Sequence, residues 1–377
     1  MNEKQPEQRW GFMGTAFVLA IIAGSLSGIV AAVFTNRSLD TYFQTLSEDV
    51  HFFSLSDVKP RPLPGSYEEA LDRVQEIALQ TTAVVTLATS DTNRVDRWIR
   101  NDERLGSGVV ITSDGWIVFQ SSIFENVDDP VQEVDIWIVN KRYSIEEILY
   151  DELTDAAMVR VDARDLVAIA FGSSADMNGG EIVFGNVNEE EIVPTSLANS
   201  KLYLEEQVLP AEVFGTSWEL SKSFDSSVAL FNSSAELIGV ADSETVVPMH
   251  HMLGFIQATF RGQEQSRPGI GAYAVDIGSV RNIDPELISS LQEGALIIAP
   301  NTRTSAIVKG SPAESTGLQP FDVIVSVAGV RIGKGQTVAE LISTHKINDT
   351  VMIVFVRNGE EQESSITLGA YSEFVYK

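Results

Sequence analysis

The chain has 377 residues and 44% of them are hydrophobic, which is enough for two domains that each bury a core. It carries 53 Asp and Glu residues against 26 Lys and Arg, for a formal net charge of -27, and no stretch of it forms a basic stripe. This balance argues against nucleic acid and anionic lipid surfaces as partners. The absence of cysteine from the sequence excludes disulfides, cysteine nucleophiles and thiolate metal sites.

The N-terminal segment 11–34 contains no charged residue and is long enough, as a helix, to cross a hydrocarbon core of about 30 Å. Lys4 and Arg9 precede it, and only Arg37 follows closely before acidic residues take over. This asymmetry predicts a single-pass protein of the cell membrane, with residues 1–10 as a cytoplasmic tail and the bulk of the chain on the extracytoplasmic side. The alternative is a signal peptide that is cleaved near the end of this segment.

Residues 35–65 read as a linker, because they are polar and end in Lys59-Pro-Arg-Pro-Leu-Pro-Gly65, whose prolines favour an extended spacer. The spacing of apolar residues over 67–79 predicts a helix. From there to about residue 256, short apolar runs alternate with turn residues. The runs that we interpret as strands are 83–88, 109–111, 116–118, 134–139, 156–161, 181–184 and 228–231. Many short strands without helical crossovers predict an all-β barrel or sandwich, and composition does not choose between the two.

One hairpin carries a more specific signal. A turn at Ser113-Asp114-Gly115 joins two strands in the sequence Leu105-Gly-Ser-Gly-Val-Val-Ile-Thr-Ser-Asp-Gly-Trp-Ile-Val-Phe-Gln-Ser-Ser-Ile-Phe124. In its residue types and their spacing this hairpin resembles that of the HtrA (Do-like) family, trypsin-type serine proteases with a PDZ domain. The resemblance implies two antiparallel barrels over residues 66–262, with the active site in the cleft between them. In that family the second strand of the hairpin runs into the catalytic histidine, and the matching position here is Ser122.

Two further segments resemble the family's catalytic positions. Asp155 stands at the position of the catalytic aspartate, and Ser226 at that of the nucleophile. A serine hydrolase needs a base, a carboxylate that orients the base, and backbone donors that face the oxyanion. Phe224 and Asp225 replace the family's Gly-Asn, and Ser227-Val228 replaces its Gly-Gly, so the backbone geometry of an oxyanion loop is restricted. We therefore interpret Asp155 and Ser226 as relict positions, with Ser122 in place of the base.

The four histidines offer no replacement base at the expected place; they are His51, His250, His251 and His345. Adjacent histidines alone are too few for a metal site, which needs three or four convergent ligands, so we expect no metal and no cofactor. Lys222 is the only local lysine that could act as a base, and nothing in the sequence specifies its geometry.

The C-terminal part, residues 267–370, resembles a PDZ domain most closely in the segment Val308-Lys-Gly-Ser-Pro-Ala-Glu-Ser-Thr-Gly-Leu-Gln-Pro-Phe-Asp-Val-Ile-Val325. One departure is Phe321, where the family usually has glycine. A PDZ domain adds an extended peptide to a strand edge, while backbone amides hold the terminal carboxylate. The resemblance implies that 274–277 is the pairing strand and that 338–343 is the helix that lines the groove.

The loop that precedes the pairing strand is Arg267-Pro-Gly-Ile-Gly-Ala-Tyr273. The resemblance implies that the amides of Ile270, Gly271 and Ala272 bind the peptide carboxylate, and that Gly269 and Gly271 permit its close approach.

We therefore predict a mainly β fold, with an N-terminal transmembrane helix, a trypsin-like double β-barrel and a C-terminal PDZ domain of α+β type. The expected function is that of a membrane-anchored HtrA-like pseudoprotease that binds peptides, protein C-termini or unfolded segments. The alternatives are an active serine endopeptidase with a displaced base and a structural subunit of a complex. The expected assembly is a homo-oligomer, such as the trimers common in the family, or a hetero-oligomer with active relatives.

Overall fold

The computed structural model describes residues 65–376, with gaps at 89–102, 176, 189–190, 204–207, 244, 263–265, 281–282, 286, 289 and 334–335. The predicted cytoplasmic tail and transmembrane segment, and all but the last residue of the linker, lie outside the described residues. Within the part of the chain that the structure describes, no helix is both long and apolar enough to cross a membrane.

The first helix, α1, spans Tyr67–Thr81 and leads directly into a strand, as its apolar spacing predicts. Ser66 caps it, since its hydroxyl oxygen accepts the backbone N–H of Glu69 at 3.1 Å and the Glu69 carboxylate accepts the N–H of Gly65 at 2.7 Å. The buried face of α1 carries small and β-branched residues, among them Val74, into the core that joins the two barrels.

Six antiparallel strands form a closed first barrel in the order β1-β2-β3-β6-β5-β4. They are β1 Thr82–Leu87, β2 Arg104–Val110, β3 Trp116–Gln120, β4 Val134–Ile138, β5 Lys141–Tyr150 and β6 Ala156–Val161, with a short helix α2, Pro130–Glu133, before β4. Buried aliphatic and aromatic side chains such as Ile117, Phe119 and Ile136 fill its interior. The predicted strands of this half are confirmed, and β5 is an addition to them.

The second barrel is a six-stranded antiparallel sheet in the order β10-β8-β7-β11-β12-β13. Its strands are β7 Ile182–Asn186, β8 Ile192–Tyr203, β10 Thr216–Leu220, β11 Val228–Phe231, β12 Leu237–Ala241 and β13 Val246–Pro248. The two outer strands meet where the Ser217 hydroxyl donates to the carbonyl of Val246 at 3.0 Å. Helix α3, Met249–Phe260, follows β13 and packs Met252 and Phe255 into the core between the barrels.

The PDZ part is built on a seven-stranded sheet in the order β20-β19-β17-β16-β15-β9, with β18 paired to β17. Its elements are β14 Pro268–Gly269, β15 Tyr273–Asp276, β16 Ala295–Ile297, α4 Pro312–Thr316, β17 Val323–Val327, β18 Val330–Arg331, α5 Val338–Ser343, β19 Thr350–Arg357, β20 Glu360–Thr367 and β21 Gly369–Ala370. The predicted pairing strand and groove helix are β15 and α5. One strand of this sheet, β9 Leu209–Pro210, comes from the connection between β8 and β10 of the second barrel.

Arg267, at the junction between the barrels and the PDZ part, is buried, with only 1% of its surface exposed. Its guanidinium donates to the carbonyl of His251 at 2.7 Å, and its Nε lies 3.3 Å from the carboxylate of Asp151. Gly254 makes room for it, because a Cβ there would lie 2.2 Å from a guanidinium nitrogen. A buried arginine with a buried carboxylate partner therefore fixes this junction.

Candidate functional site

The cleft between the barrels gathers the three family positions that the sequence singles out. Ser122 lies in the turn after β3, Asp155 lies just before β6, and Ser226 lies just before β11. Because β3 pairs with β6, the N–H of Ser121 donates to the carbonyl of Asp155 at 2.7 Å, which brings the first two together. All three line one cavity of about 360 Å³.

The side chain of Ser122 is hydrogen-bonded to the carboxylate of Asp242 in this cleft. Its hydroxyl donates to Oδ2 of Asp242 at 2.5 Å, and the other oxygen of Asp242 accepts the N–H of Thr245 at 2.8 Å. A serine hydroxyl has no basic nitrogen that could take a proton from Ser226. None of the three histidines in the described part of the chain lines the cleft, and neither does Lys222.

The described lining of the cleft is acidic. The described residues that line it include no lysine, arginine or histidine, and they include four carboxylates, Glu125, Asp155, Asp225 and Asp242. A tetrahedral intermediate carries an oxyanion, which is stabilised by donors and positive charge and destabilised by neighbouring carboxylates.

The residues that flank Ser226 are engaged in structural contacts. The buried Ser227 hydroxyl donates to the carbonyl of Ser107 at 3.1 Å and accepts the N–H of Gln120 at 3.2 Å. On the other side Phe224 is buried in the second barrel against Gly185, where a Cβ would lie 2.0 Å from its ring. The loop is therefore held by packing and hydrogen bonds on both sides of Ser226, and the relict role of Ser226 remains a prediction.

The second candidate site is the PDZ groove between β15 and α5. Its loop, Gly269 to Ala272, has the turn that a carboxylate-binding loop requires, with Gly271 in the left-handed region at a φ of 74°. A Cβ on Gly271 would also lie 2.3 Å from that of Ser311, so only glycine fits there. The predicted loop geometry is thus present, and its role in binding a peptide remains a prediction.

This loop already holds a carboxylate, that of Glu212. One oxygen, Oε1, accepts the N–H of Ile270 at 2.6 Å and the N–H of Gly271 at 2.8 Å. The other, Oε2, accepts the hydroxyl of Tyr376 at 2.5 Å, and only 1% of the Glu212 surface is exposed. Burial raises the pKa of Glu212, while these three hydrogen bonds act to lower it. The carbonyl of Ala272, the last predicted loop residue, accepts the N–H of Ala211 at 2.8 Å.

The residues before Glu212 occupy the groove as a strand. β9 pairs antiparallel with β15, with Pro210 opposite Tyr273 and Leu209 opposite Ala274. This leaves a residual cavity of about 60 Å³ beside β9, lined by apolar side chains such as Ile332 and Val338. We name the segment 208–212 the internal ligand, because its backbone takes the place of an added peptide strand and its carboxylate takes the place of a terminal carboxylate.

An aromatic cluster covers the internal ligand. The ring of Tyr376 contacts Tyr273, Tyr371 and Phe374, with centroids 5.0, 5.7 and 6.2 Å away. Burial and the charge of Glu212 both raise the pKa of Tyr376, so its hydroxyl stays protonated and donates. Sequence reasoning identified neither Glu212 nor Tyr376.

Comparison with known proteins agrees with these features. The family model of the PDZ domain matches residues 270–368. A probable periplasmic serine endoprotease, DegP-like, of Hahella chejuensis is 25% identical over 277 residues, which cover 70% of this chain and 56% of the relative. The serine protease Do-like HtrA of Lactococcus lactis subsp. lactis is 23% identical over 248 residues, covering 58% of this chain and 59% of the relative. The match thus spans little more than half the length of these relatives.

Among solved structures, the HtrA-type protease AlgW with a decapeptide shares the fold, with a TM-score of 0.52 and 16% sequence identity over 81% of this chain and 98% of AlgW. AlgW with a tripeptide gives a TM-score of 0.52 at 18% identity, over 81% of this chain and 97% of AlgW. The chain thus contains a PDZ domain, shares the fold of the HtrA-type protease AlgW, and is similar in sequence to serine proteases of the HtrA (Do-like) family.

Proposed function

We propose that this chain is an HtrA-type pseudoprotease that recognises protein C-termini or unfolded segments through its PDZ domain. The observation that carries the proposal is that the backbone N–H groups of Ile270 and Gly271 bind the Glu212 carboxylate while the strand β9 pairs with β15. Main-chain pairing at a strand edge combined with carboxylate capture is the way PDZ domains bind peptides. The peptides in the AlgW structures support the same use of the fold.

An outside peptide has to replace the internal ligand before it can bind. The groove that it would enter is lined by Ala274, Ile332 and Val338, which favours an apolar residue at the end of the peptide. The net charge of -27 disfavours strongly acidic peptides. The ligand class is therefore a hydrophobic, non-acidic C-terminus, and its binding is in competition with residues 208–212.

Peptide binding is tested with the full chain in detergent and a labelled decapeptide whose last three residues are apolar. The matched control is the same peptide with an amidated C-terminus, which leaves the protein unchanged and removes the carboxylate. We expect the free acid to bind and the amide to bind at least tenfold more weakly. Equal affinities, or no binding of either, would favour the alternative of a purely structural subunit.

The pseudoprotease part of the proposal is tested by degradation of an unfolded model protein by the full chain, beside a Ser226→Ala variant. We expect neither to cleave it, because the cleft has a Ser122–Asp242 hydrogen bond where a base is needed. Hydrolysis that disappears in Ser226→Ala would establish an active endopeptidase, the class to which the curated relatives are assigned.

We further propose that residues 11–34 anchor the chain in the cell membrane with the PDZ domain outside. The absence of cysteine allows a direct test with single cysteines introduced as Asn2→Cys or Ser38→Cys and a membrane-impermeant maleimide. We expect intact cells to label position 38 and only lysed cells to label position 2. The reverse pattern, or recovery of the chain in the soluble fraction, would refute this placement.

For the assembly we propose a homo-oligomer, or a hetero-oligomer with active relatives. Light scattering of the detergent-solubilised chain measures the first possibility. A measured mass of one chain would exclude the homo-oligomer. The hetero-oligomer would then be tested by co-purification with an active relative.

A further inference from the structure

Three side chains from two distant parts of the sequence converge where the barrels meet the PDZ domain. His250 and His251 lie in the first turn of α3, and Glu340 lies in α5, the helix that lines the peptide groove. Neighbouring residues on a helix point about 100° apart, so two adjacent histidines seldom meet. Here their rings lie 4.3 Å apart, and both present Nε2 to the same carboxylate oxygen, Oε1 of Glu340.

The distances in this cluster fit shared coordination better than direct contact. Oε1 of Glu340 lies 3.6 Å from Nε2 of His251 and 3.8 Å from Nε2 of His250. Both separations are too long for hydrogen bonds. Two ligand atoms on one tetrahedral zinc ion, with bonds of 2.0–2.2 Å, are about 3.3–3.6 Å apart. The ligand atoms of the three residues all lie within 4.8 Å of one another, so small side-chain movements would bring them to the spacing of ligands on one ion.

The buried ring of His251 has a nitrogen that the protein does not satisfy. Its side chain is 4% exposed, it stacks on Phe214 with the centroids 4.0 Å apart, and its Nε2 has no hydrogen-bond partner. A buried polar atom without a partner is destabilising, so such atoms are rare in folded proteins.

The remaining polar atoms of the cluster are held by partners that orient it. Oε2 of Glu340 accepts the N–H of Thr337 at 2.7 Å in the capping box of α5, which leaves Oε1 toward the histidines. Nδ1 of His250 is hydrogen-bonded to the Ser174 hydroxyl at 2.8 Å, which leaves its Nε2 toward Glu340. Outer partners of this kind are what fixes the tautomer and direction of metal-binding groups.

We propose that His250, His251 and Glu340 bind a divalent transition metal of the zinc class and thereby tie α5 of the PDZ domain to α3. Two imidazoles and a carboxylate suit zinc rather than calcium or magnesium, which prefer oxygen ligands. Three protein ligands leave the fourth position to water, which can enter beside His250, whose side chain is 20% exposed. The guanidinium of Arg267, bonded to the carbonyl of His251, opposes a cation and moderates the affinity.

The sequence offered two adjacent histidines, too few for a site, and the fold supplies Glu340 as the third ligand. The test is a titration of the chelator-stripped full chain with Zn²⁺ in competition with a chromophoric chelator. We expect one ion per chain, and at least a tenfold loss of affinity in Glu340→Gln. Glutamine keeps the capping box of α5 and removes the anionic ligand, so this variant should fold.

His250→Ala removes a second ligand and should give a similar loss, while His345→Ala removes a partly exposed histidine outside the cluster and should leave the affinity unchanged. A second readout is the thermal unfolding midpoint, which Zn²⁺ should raise in the wild-type chain and not in Glu340→Gln. Binding that survives both ligand variants, or that falls equally in His345→Ala, would overturn the proposal, as would no binding by the wild-type chain.

Discussion

Removal of the Glu212 carboxylate should open the PDZ groove to outside peptides. In Glu212→Ala the N–H groups of Ile270 and Gly271 lose the acceptor that now occupies them. The strand β9 then has to hold the groove with its backbone alone, and Pro210, half of that strand, has no N–H to donate. We expect the internal ligand to leave the groove more readily and the apparent peptide affinity to rise.

The size of this effect follows from the hydrogen bonds. A hydrogen bond to a charged group contributes about 1.5–3 kcal/mol, so the two loop amides together contribute at least about 3 kcal/mol. Burial raises the pKa of Glu212 and so disfavours its charged form; with the ordinary value of about 1 kcal/mol for each of the two hydrogen bonds, the sum is roughly 2 kcal/mol in favour of docking. An apparent dissociation constant scales inversely with the competent fraction, and 1.4 kcal/mol is about a factor of ten, so Glu212→Ala should bind about 30-fold more tightly.

The assay is the change in fluorescence anisotropy of the labelled decapeptide with a free C-terminus, titrated with the full chain. The matched control is Glu219→Ala, which makes the same change of charge at an exposed residue of β10, in the strand that follows the internal ligand. Glu212→Gln should give a smaller gain, because its neutral oxygen still accepts. An affinity that is unchanged or lower in Glu212→Ala, or that rises equally in Glu219→Ala, would refute the reasoning.

Two further predictions concern stability. Arg267→Met should lower the free energy of unfolding by about 3–5 kcal/mol at neutral pH, because it leaves the buried Asp151 carboxylate without its charged partner. The double variant Asp151→Asn with Arg267→Met should lose less stability. Denaturant titration of both variants measures the difference. Burial raises the pKa of Asp151 even beside Arg267, so protonation of Asp151 favours the folded chain. The stability lost in Arg267→Met should therefore become smaller as the pH falls through that raised pKa. A loss of stability that does not change with pH would contradict this. Phe321→Gly should raise the free energy of unfolding by about 0.5–1 kcal/mol in the same measurement. The exposed Phe321 has a φ of 73°, which costs an L-residue about 1–2 kcal/mol, and the greater unfolded-state entropy of glycine offsets part of the gain from removing that strain. A loss of stability would mean that the Phe321 ring makes contacts that outweigh the strain.

Hydrophobic runs located the buried strands because these strands are covered on both faces. Val228–Phe231 is buried at every position, and the sequence shows it as an uninterrupted apolar run. Strand β5, Lys141–Tyr150, has mostly exposed or half-buried side chains, and its charged residues hid it. Local patterns thus predicted the core strands of the first barrel and only β7 and β11 of the second. The predicted runs leave out β5 and the second-barrel strands β8, β10, β12 and β13, of which β12 and β13 are buried at every position.

The site contacts that sequence reasoning missed are all between residues far apart in the chain. Asp242 is 120 positions from Ser122, and Glu212 is 58 positions from Ile270. No spacing rule links such pairs, because their meeting depends on how the strands are ordered in the sheets. A weak signal did exist for the internal ligand, since Val208-Leu-Pro-Ala-Glu-Val-Phe214 is an apolar stretch broken by a single acid in a connection between strands.

An acidic residue lies in each of the two candidate sites, Asp242 in the cleft and Glu212 in the PDZ groove. The two acids differ in the strands that hold them. Asp242 holds Ser122 in the cleft, where both residues adjoin strands of the barrels that are hydrogen-bonded on both sides. Glu212 holds the PDZ loop from a strand of only two residues, at the edge of its sheet. Release of the internal ligand requires a two-residue edge strand to detach and the three hydrogen bonds of Glu212 to break, which is a local opening and not an unfolding of the sheet. Such a local opening supports our proposal that an outside peptide reaches the PDZ groove by competing with residues 208–212.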